Sequence, residues 1–172
     1  MQVQRLNELG TATKIDIPYL ILRRDFFAMM FDPLMKIYGS AGASMIYAMG
    51  KDSGESEVRQ FVEDNKEYAP RITKRELLDR VFQRFNQMGW GGIVVEEFDG
   101  INKKVRIIVN QNPFIDKFKS ELNGGIFFLR GLLVGITSEV LEEELSLSDP
   151  RCLESSKGFC ELNIVSKDQD FE

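Results

Sequence analysis

The sequence predicts an α+β domain, an antiparallel sheet of about four to five strands with helices packed on it. Three observations carry this expectation: β-branched runs that come in pairs, helical periodicity between those pairs, and a composition of 43% hydrophobic and 28% charged residues, ordinary for a globular unit. Hairpins interleaved with helices argue against a doubly wound sheet, in which single strands alternate with crossover helices. At 172 residues the chain fits one domain, 1–172, long enough to bury about two-thirds of its unfolded surface.

The elements follow in order. Ile15 to Met30 mixes β-branched and aromatic residues around Arg23, Arg24 and Asp25 and reads as one or two short strands. Asp32-Pro33 reads as a helix start, with Asp as N-cap and Pro at the first helical position, and that helix is expected to run through Tyr47. Gly50 to Glu57 clusters Gly, Ser and Asp and reads as a short linker. Thr73 and Glu76 form a capping box ahead of Leu77, Leu78, Val81, Phe82, Phe85 and Met88 at helical spacing, with Gly89 at the stop. Ile93 to Phe98 and Val105 to Val109 are β-branched runs joined through Asp99-Gly100, which predicts an antiparallel hairpin. A third helix, roughly Lys119 to Glu142, is apolar nearly all round and is expected to lie buried. Two last strands, Glu143 to Ser148 and Phe159 to Val165, bracket a loop holding Asp149, Pro150, Cys152 and Gly158.

Charge and residue usage exclude several classes of function. Lys+Arg 22 against Asp+Glu 27 leaves a net charge of −5, a field that repels nucleic-acid backbones and anionic lipid. The longest apolar stretch, Ile126 to Ile136, is broken by Arg130 and is shorter than the roughly 20 residues of a bilayer crossing, so no membrane span is expected. Met1 to Leu9 lacks the pattern of a signal peptide, and two cysteines fit a reducing compartment, so the expected location is cytoplasmic. The chain has no histidine, which removes Ser-His triads, His-based zinc hydrolases and His-ligated haem.

From Phe128 the text reads Phe-Leu-Arg-Gly-Leu-Leu-Val-Gly-Ile, then Glu-Val-Leu-Glu-Glu-Glu, then Cys152 and, after a short gap, Cys160 in a strand, with Trp90-Gly91 ahead of the Ile93 strand. In order and spacing, roughly over Leu77 to Val165, this resembles the 4-vinyl-reductase domain family. The resemblance implies a fold related to haem nitric-oxide-binding domains and to the small subunits of the TRAPP tethering complex, with an apolar cavity between helices and sheet. It also implies a zinc site of the kind found in phenol-sensing activators that carry such a domain, with Asp149, Cys152 and Cys160 on three ligand positions. The fourth position, a helix cysteine in those relatives, falls on Ile126, which cannot ligate a metal. The alternative for the three residues is a pair of half-buried thiols and a turn-starting Asp-Pro.

Seven apolar residues are candidate pocket walls under this resemblance: Val81, Phe85, Val105, Phe128, Leu132, Ile136 and Leu147. A ligand cavity and a close-packed core both demand apolar residues at helical spacing, so sequence leaves the two open. Gly131 and Gly135 form a small-xxx-small face, which points to close helix contact. Three functions follow. The first is a non-enzymatic module that binds a small hydrophobic or aromatic ligand and acts through a homodimer or a regulatory protein partner. The second is a tetrapyrrole 4-vinyl reductase or its accessory subunit, for which the chain shows no Gly-x-Gly-x-x-Gly fingerprint. The third is an interaction subunit without ligand.

Overall fold

The computed structural model describes residues 24–114, 124–151 and 159–167. Three helices, α1 (Arg24–Tyr38), α2 (Ser40–Asp64) and α3 (Lys74–Gln87), precede a hairpin of β1 (Gly92–Asp99) and β2 (Lys104–Asn110). Helix α4 (Gly124–Leu141) then leads into β3 (Leu145–Arg151) and β4 (Phe159–Ser166). All strand pairs are antiparallel and the four strands lie in the order β1-β2-β4-β3. The predicted α+β architecture is therefore present, with four strands among the described residues.

Helix α4 organises the molecule. Within it only Phe127, Arg130 and Glu139 are not buried. By length and composition it could cross a membrane, but it is the core helix here, its faces covered by α2, α3 and the sheet. The sheet meets it with Val105, Ile107 and Val109 of β2, paired with Ile164, Leu162 and Cys160 of β4, all six buried. Alternate residues Arg106 and Glu161 point to the opposite face, as the two-residue strand period requires. A bulge between Val95 and Glu97 shifts the register of β1, and Arg75 donates from Nη2 to Val95 O at 2.6 Å beside it.

Glycine sets the contact between α2 and α4. Gly42, Ile46, Gly50, Gly54 and Val58, every fourth residue of α2, form its buried stripe. A Cβ on Gly50 would lie 2.2 Å from Phe128 O, and one on Gly54 would lie 2.2 Å from Leu132 O. The relation is reciprocal: a Cβ on Gly131 would lie 2.0 Å from Tyr47 O and one on Gly135 would lie 2.1 Å from Lys51 O. The two backbones touch where side chains would keep them apart, so the small-xxx-small face marks close helix contact, as the sequence indicated.

The N-terminal half departs from the sequence reading. Arg24–Met30, expected in a strand, is the first half of α1; residues 15–23 lie outside the described ones. Phe27, Phe31, Leu34 and Met35 recur at helical spacing and turn one face of α1 inward, which outweighs the β preference of the aromatic pair. Asp32-Pro33 sits inside α1, with Pro33 on the exposed side. The break comes instead at Gly39, whose φ of 54° and ψ of −125° suit glycine, and α2 continues past Tyr47 to Asp64. Gly50 to Glu57 is thus helix and not linker. Asp149 and Pro150, expected in a loop, belong to β3.

The capped helix and the hairpin expected from the sequence are present. Thr73 caps α3, its hydroxyl accepting from Glu76 N at 3.2 Å. Glu76 does not complete the box: its carboxylate accepts from Tyr68 Oη and from Arg80. Asp99 organises the hairpin loop, its Oδ1 accepting from the backbone N–H groups of Ile101 (3.0 Å) and Asn102 (2.9 Å).

Candidate functional site

The site is built where α1, α4 and the turns flanking the β1–β2 hairpin converge. Gly89 (φ 87°) ends α3 and Gly91 (φ 108°) starts the approach to β1. Between them Trp90 is turned back toward the core, its backbone N–H donating to Phe85 O at 3.1 Å. Asn86 locks this turn from the side, its Oδ1 accepting from Ile93 N (2.7 Å) and its Nδ2 donating to Ile93 O (2.9 Å). On the far end of the hairpin, buried Asn112 accepts at Oδ1 from Phe114 N (2.9 Å) and directs Phe114 inward. Helix α1 brings Phe27 and Phe31 on consecutive turns, and α4 brings Phe128.

These side chains form an aromatic nest around Trp90. Its ring centroid lies 5.5 Å from Phe27, 5.7 Å from Phe85, 6.1 Å from Phe114 and 6.1 Å from Phe128. Phe27, Phe85 and Phe114 meet it edge-on, the arrangement that sets a ring's positive edge against a negative face. Phe31 stacks on Phe128 at 5.5 Å. Glycine again makes the room: a Cβ on Gly124 would lie 2.4 Å from Phe31 Cβ, and one on Gly125 would lie 2.3 Å from Phe114 Cδ1. Chemically the nest offers flat, polarisable apolar surface, with the Trp90 indole N–H as its polar handle.

The sequence-derived pocket residues divide between two apolar clusters. Val81, Phe85, Val105, Leu132 and Ile136 lie in the larger one between α3, α4 and the sheet, with Leu147 packed against it. Phe128 lies in the smaller one with Phe31, Met35 and Ile46. Phe27 and Trp90 pack against both and join them. Two of the surface clefts border these clusters. One, of about 440 Å³, has Val58, Val62, Ile72, Leu77 and Val140 among its walls and the ion pairs Arg59–Glu139 (2.8 Å) and Lys74–Glu142 (3.2 Å) at its sides. The other, of about 280 Å³, lies between α2, α4 and β3 and includes Leu147. Val81, Phe85, Val105, Phe128, Leu132 and Ile136 line neither; they are interior side chains.

Of the residues in the nest, Phe85 and Phe128 were pocket candidates from the sequence, Trp90 entered only through the resemblance, and Phe27, Phe31 and Phe114 were not candidates. The signal for Phe27 and Phe31 was their four-residue spacing, hidden by reading that segment as strand. Phe114 follows an Asn-x turn just past β2, and only the hydrogen bond from its N–H to Asn112 shows that it turns inward.

Of the three residues that the resemblance assigns to zinc, Cys160 is the one whose side chain is described, and it does not fit a ligand position. Cys160 is buried, accepts from Asn112 Nδ2 at 3.2 Å, and is disulfide-bonded, so it offers no thiolate. Cys152 lies outside the described residues, as does the side chain of Asp149, and Ile126 is a buried core residue. Among the described residues no group of three or more Cys, Asp or Glu side chains is placed to hold a metal.

No protein-family model matches the chain, and no curated protein matches it. Among solved structures it is similar to the phenol-responsive sensory domain of the transcription activator PoxR, determined with phenol, at 12% identity over 88% of this chain and 78% of that one, with a TM-score of 0.70. It is also similar to a structure from a study of haem distortion in the H-NOX family, at 18% identity over 91% of this chain and 78% of that one, with a TM-score of 0.51. A haem held through a proximal His does not fit this chain, which has no His. With four helices and a four-stranded antiparallel sheet among the described residues, the chain shares the fold of those two structures.

Proposed function

We propose that this chain is a non-enzymatic small-molecule-sensing module of the 4-vinyl-reductase type, and that its ligand is a small apolar or aromatic molecule received at the aromatic nest. The observation that carries the reading is Trp90 ringed by Phe27, Phe85, Phe114 and Phe128, in a fold shared with a phenol-responsive domain. A ligand ring would displace or slide between these rings and bias their arrangement, and the signal would pass to a second copy or a protein partner. Because Trp90 is the only tryptophan, its emission reports on the nest directly. Titration with phenol, cresol and indole is expected to give saturable change in that emission and a raised thermal midpoint. Phe128→Ala should lose about 3–5 kcal/mol of stability and regain part of it when benzene-sized ligands fill the space. An emission spectrum indifferent to every ligand, in both proteins, would sink the proposal.

One observation favours a second reading, an interaction subunit. Met29, Ile37, Tyr38, Met45 and Met49 of α1 and α2 are large, apolar and about half exposed or more (45% to 73%), a concentration that single surface apolar residues do not explain. Under either reading this face is where a homodimer would form. Met29→Asp with Met45→Asp should leave the fold intact by circular dichroism and convert a dimer to a monomer in light scattering; an unchanged mass would remove the face from consideration.

A further inference from the structure

Arg130 is the one charged residue of α4 besides Glu139, and the two are treated differently by the fold. Glu139 is paired with Arg59 at 2.8 Å. Arg130 is half-buried, its Cζ stands 5.7 Å from the centre of the Phe127 ring, and its Nε is buried without a hydrogen-bond partner. Among the described residues no carboxylate stands within ion-pair distance of it. An N–H removed from water in this way costs free energy unless an acceptor is supplied, and the planar guanidinium fork is shaped for a carboxylate.

The surroundings supply a place for that acceptor. Arg130 lines the cleft of about 280 Å³ together with Ala43, Ser44, Tyr47, Phe127 and Leu147. Among the described residues no acidic side chain lines it, and Arg130 is the charged group there. Ser44 already donates its hydroxyl hydrogen to Ser40 O at 3.1 Å, so Tyr47 and Arg130 are the side chains with hydrogens to offer. Burial pushes the Tyr47 phenol up, which keeps it protonated and a donor at neutral pH, and pushes Arg130 down from its ordinary value. Phe127, Ala43 and Leu147 make the remaining walls apolar.

The geometry points to a second binding site, separate from the aromatic nest, that takes a small monocarboxylate with a flat or short apolar body, its carboxylate on the Arg130 guanidinium and its body against Phe127 and Leu147. The volume lies below the roughly 300–1,000 Å³ of drug-sized sites, which restricts the ligand to about one ring. The inference does not depend on the nest binding anything, because none of the cleft's lining residues belongs to the ring around Trp90.

Calorimetric titration of the full chain with sodium benzoate, and in parallel with benzyl alcohol, tests it. Benzoate is expected to bind saturably and benzyl alcohol at least roughly tenfold more weakly. Arg130→Gln should weaken benzoate by roughly tenfold or more and leave benzyl alcohol unaffected, while Arg130→Lys, which keeps the charge and loses the fork, should fall between. The response of Trp90 emission to phenol should be the same in wild type and Arg130→Gln, so failure at the cleft and failure at the nest are read separately. Equal benzoate affinity in wild type and Arg130→Gln, or no benzoate binding to wild type up to about 10 mM, overturns the inference.

Discussion

Glycine and arginine show how much a single residue can mean in this chain. Gly131 and Gly39 are both glycines, yet the structure uses them for unrelated reasons: Gly131 admits the Tyr47 carbonyl, while Gly39 has nothing within 4 Å and is needed for its φ of 54°. Gly131→Ala therefore forces two packed backbones apart, and we expect a loss of about 2–3 kcal/mol. That corresponds to a drop in thermal midpoint of roughly 5–10 °C for a chain of this size. Gly39→Ala strains one residue at the surface and should cost about 1–2 kcal/mol. Paired melting curves distinguish the two, and a Gly131→Ala protein that melts no lower than Gly39→Ala would refute the close approach. The small-xxx-small spacing of Gly131 and Gly135 was legible in the sequence. Its partner stripe, Gly50 and Gly54, was not, because Gly, Ser and Asp in one cluster carry the local signature of a linker.

At the scale of elements, short-range chemistry proved a good guide and long-range packing overrode it in the N-terminal half. The capped start of α3 at Thr73 and the Asp99-Gly100 hairpin are decided by hydrogen bonds between residues two or three apart, which sequence contains in full. The extent of α2 depends on α4, a segment far along the chain, and no local pattern reports it. The outer face of the sheet is held by a charge cluster: Arg106 of β2 reaches Glu97 and Glu96 of β1 and Glu161 of β4. Partial burial opposes the Arg106 charge, and the three carboxylates outweigh it, so its pKa is raised overall. Arg106→Ala would leave three like charges on adjacent strands. The expected deficit in denaturant midpoint is largest at low ionic strength and shrinks in about 1 M salt, where the screening length is about 3 Å. A salt-independent deficit would assign the effect to lost packing of the arginine stem instead.

For the whole molecule, the lack of histidine predicts an unusual pH profile. No side chain of ordinary pKa titrates between about pH 5 and 8 without it, so stability should be level across that range. Below it, specific carboxylates take over. Glu76 is held below its usual value by the hydrogen bond from Arg80 and then that from Tyr68, Asp99 by the backbone N–H and side chain of Asn102, and Glu144 by Lys167 and Lys51. A carboxylate lowered in the folded state stabilises the fold above its unfolded pKa and loses that contribution as pH falls through the folded value. Urea midpoints should thus stay constant from about pH 8 to 5.5 and fall toward pH 3; a step near pH 6.5 would contradict this account. The sequence by itself determined the α+β class, the buried character of α4, the hairpin, the capped helix and the exclusion of histidine chemistry, because each is written in neighbouring residues or in composition. Only the tertiary structure decided that Phe27 and Phe114 close around Trp90, that α2 runs through a glycine-rich stretch, and that Arg130 stands in a cleft with no carboxylate beside it among the described residues. Those three facts arise from contacts between segments far apart in the chain, whose energies no local pattern can record.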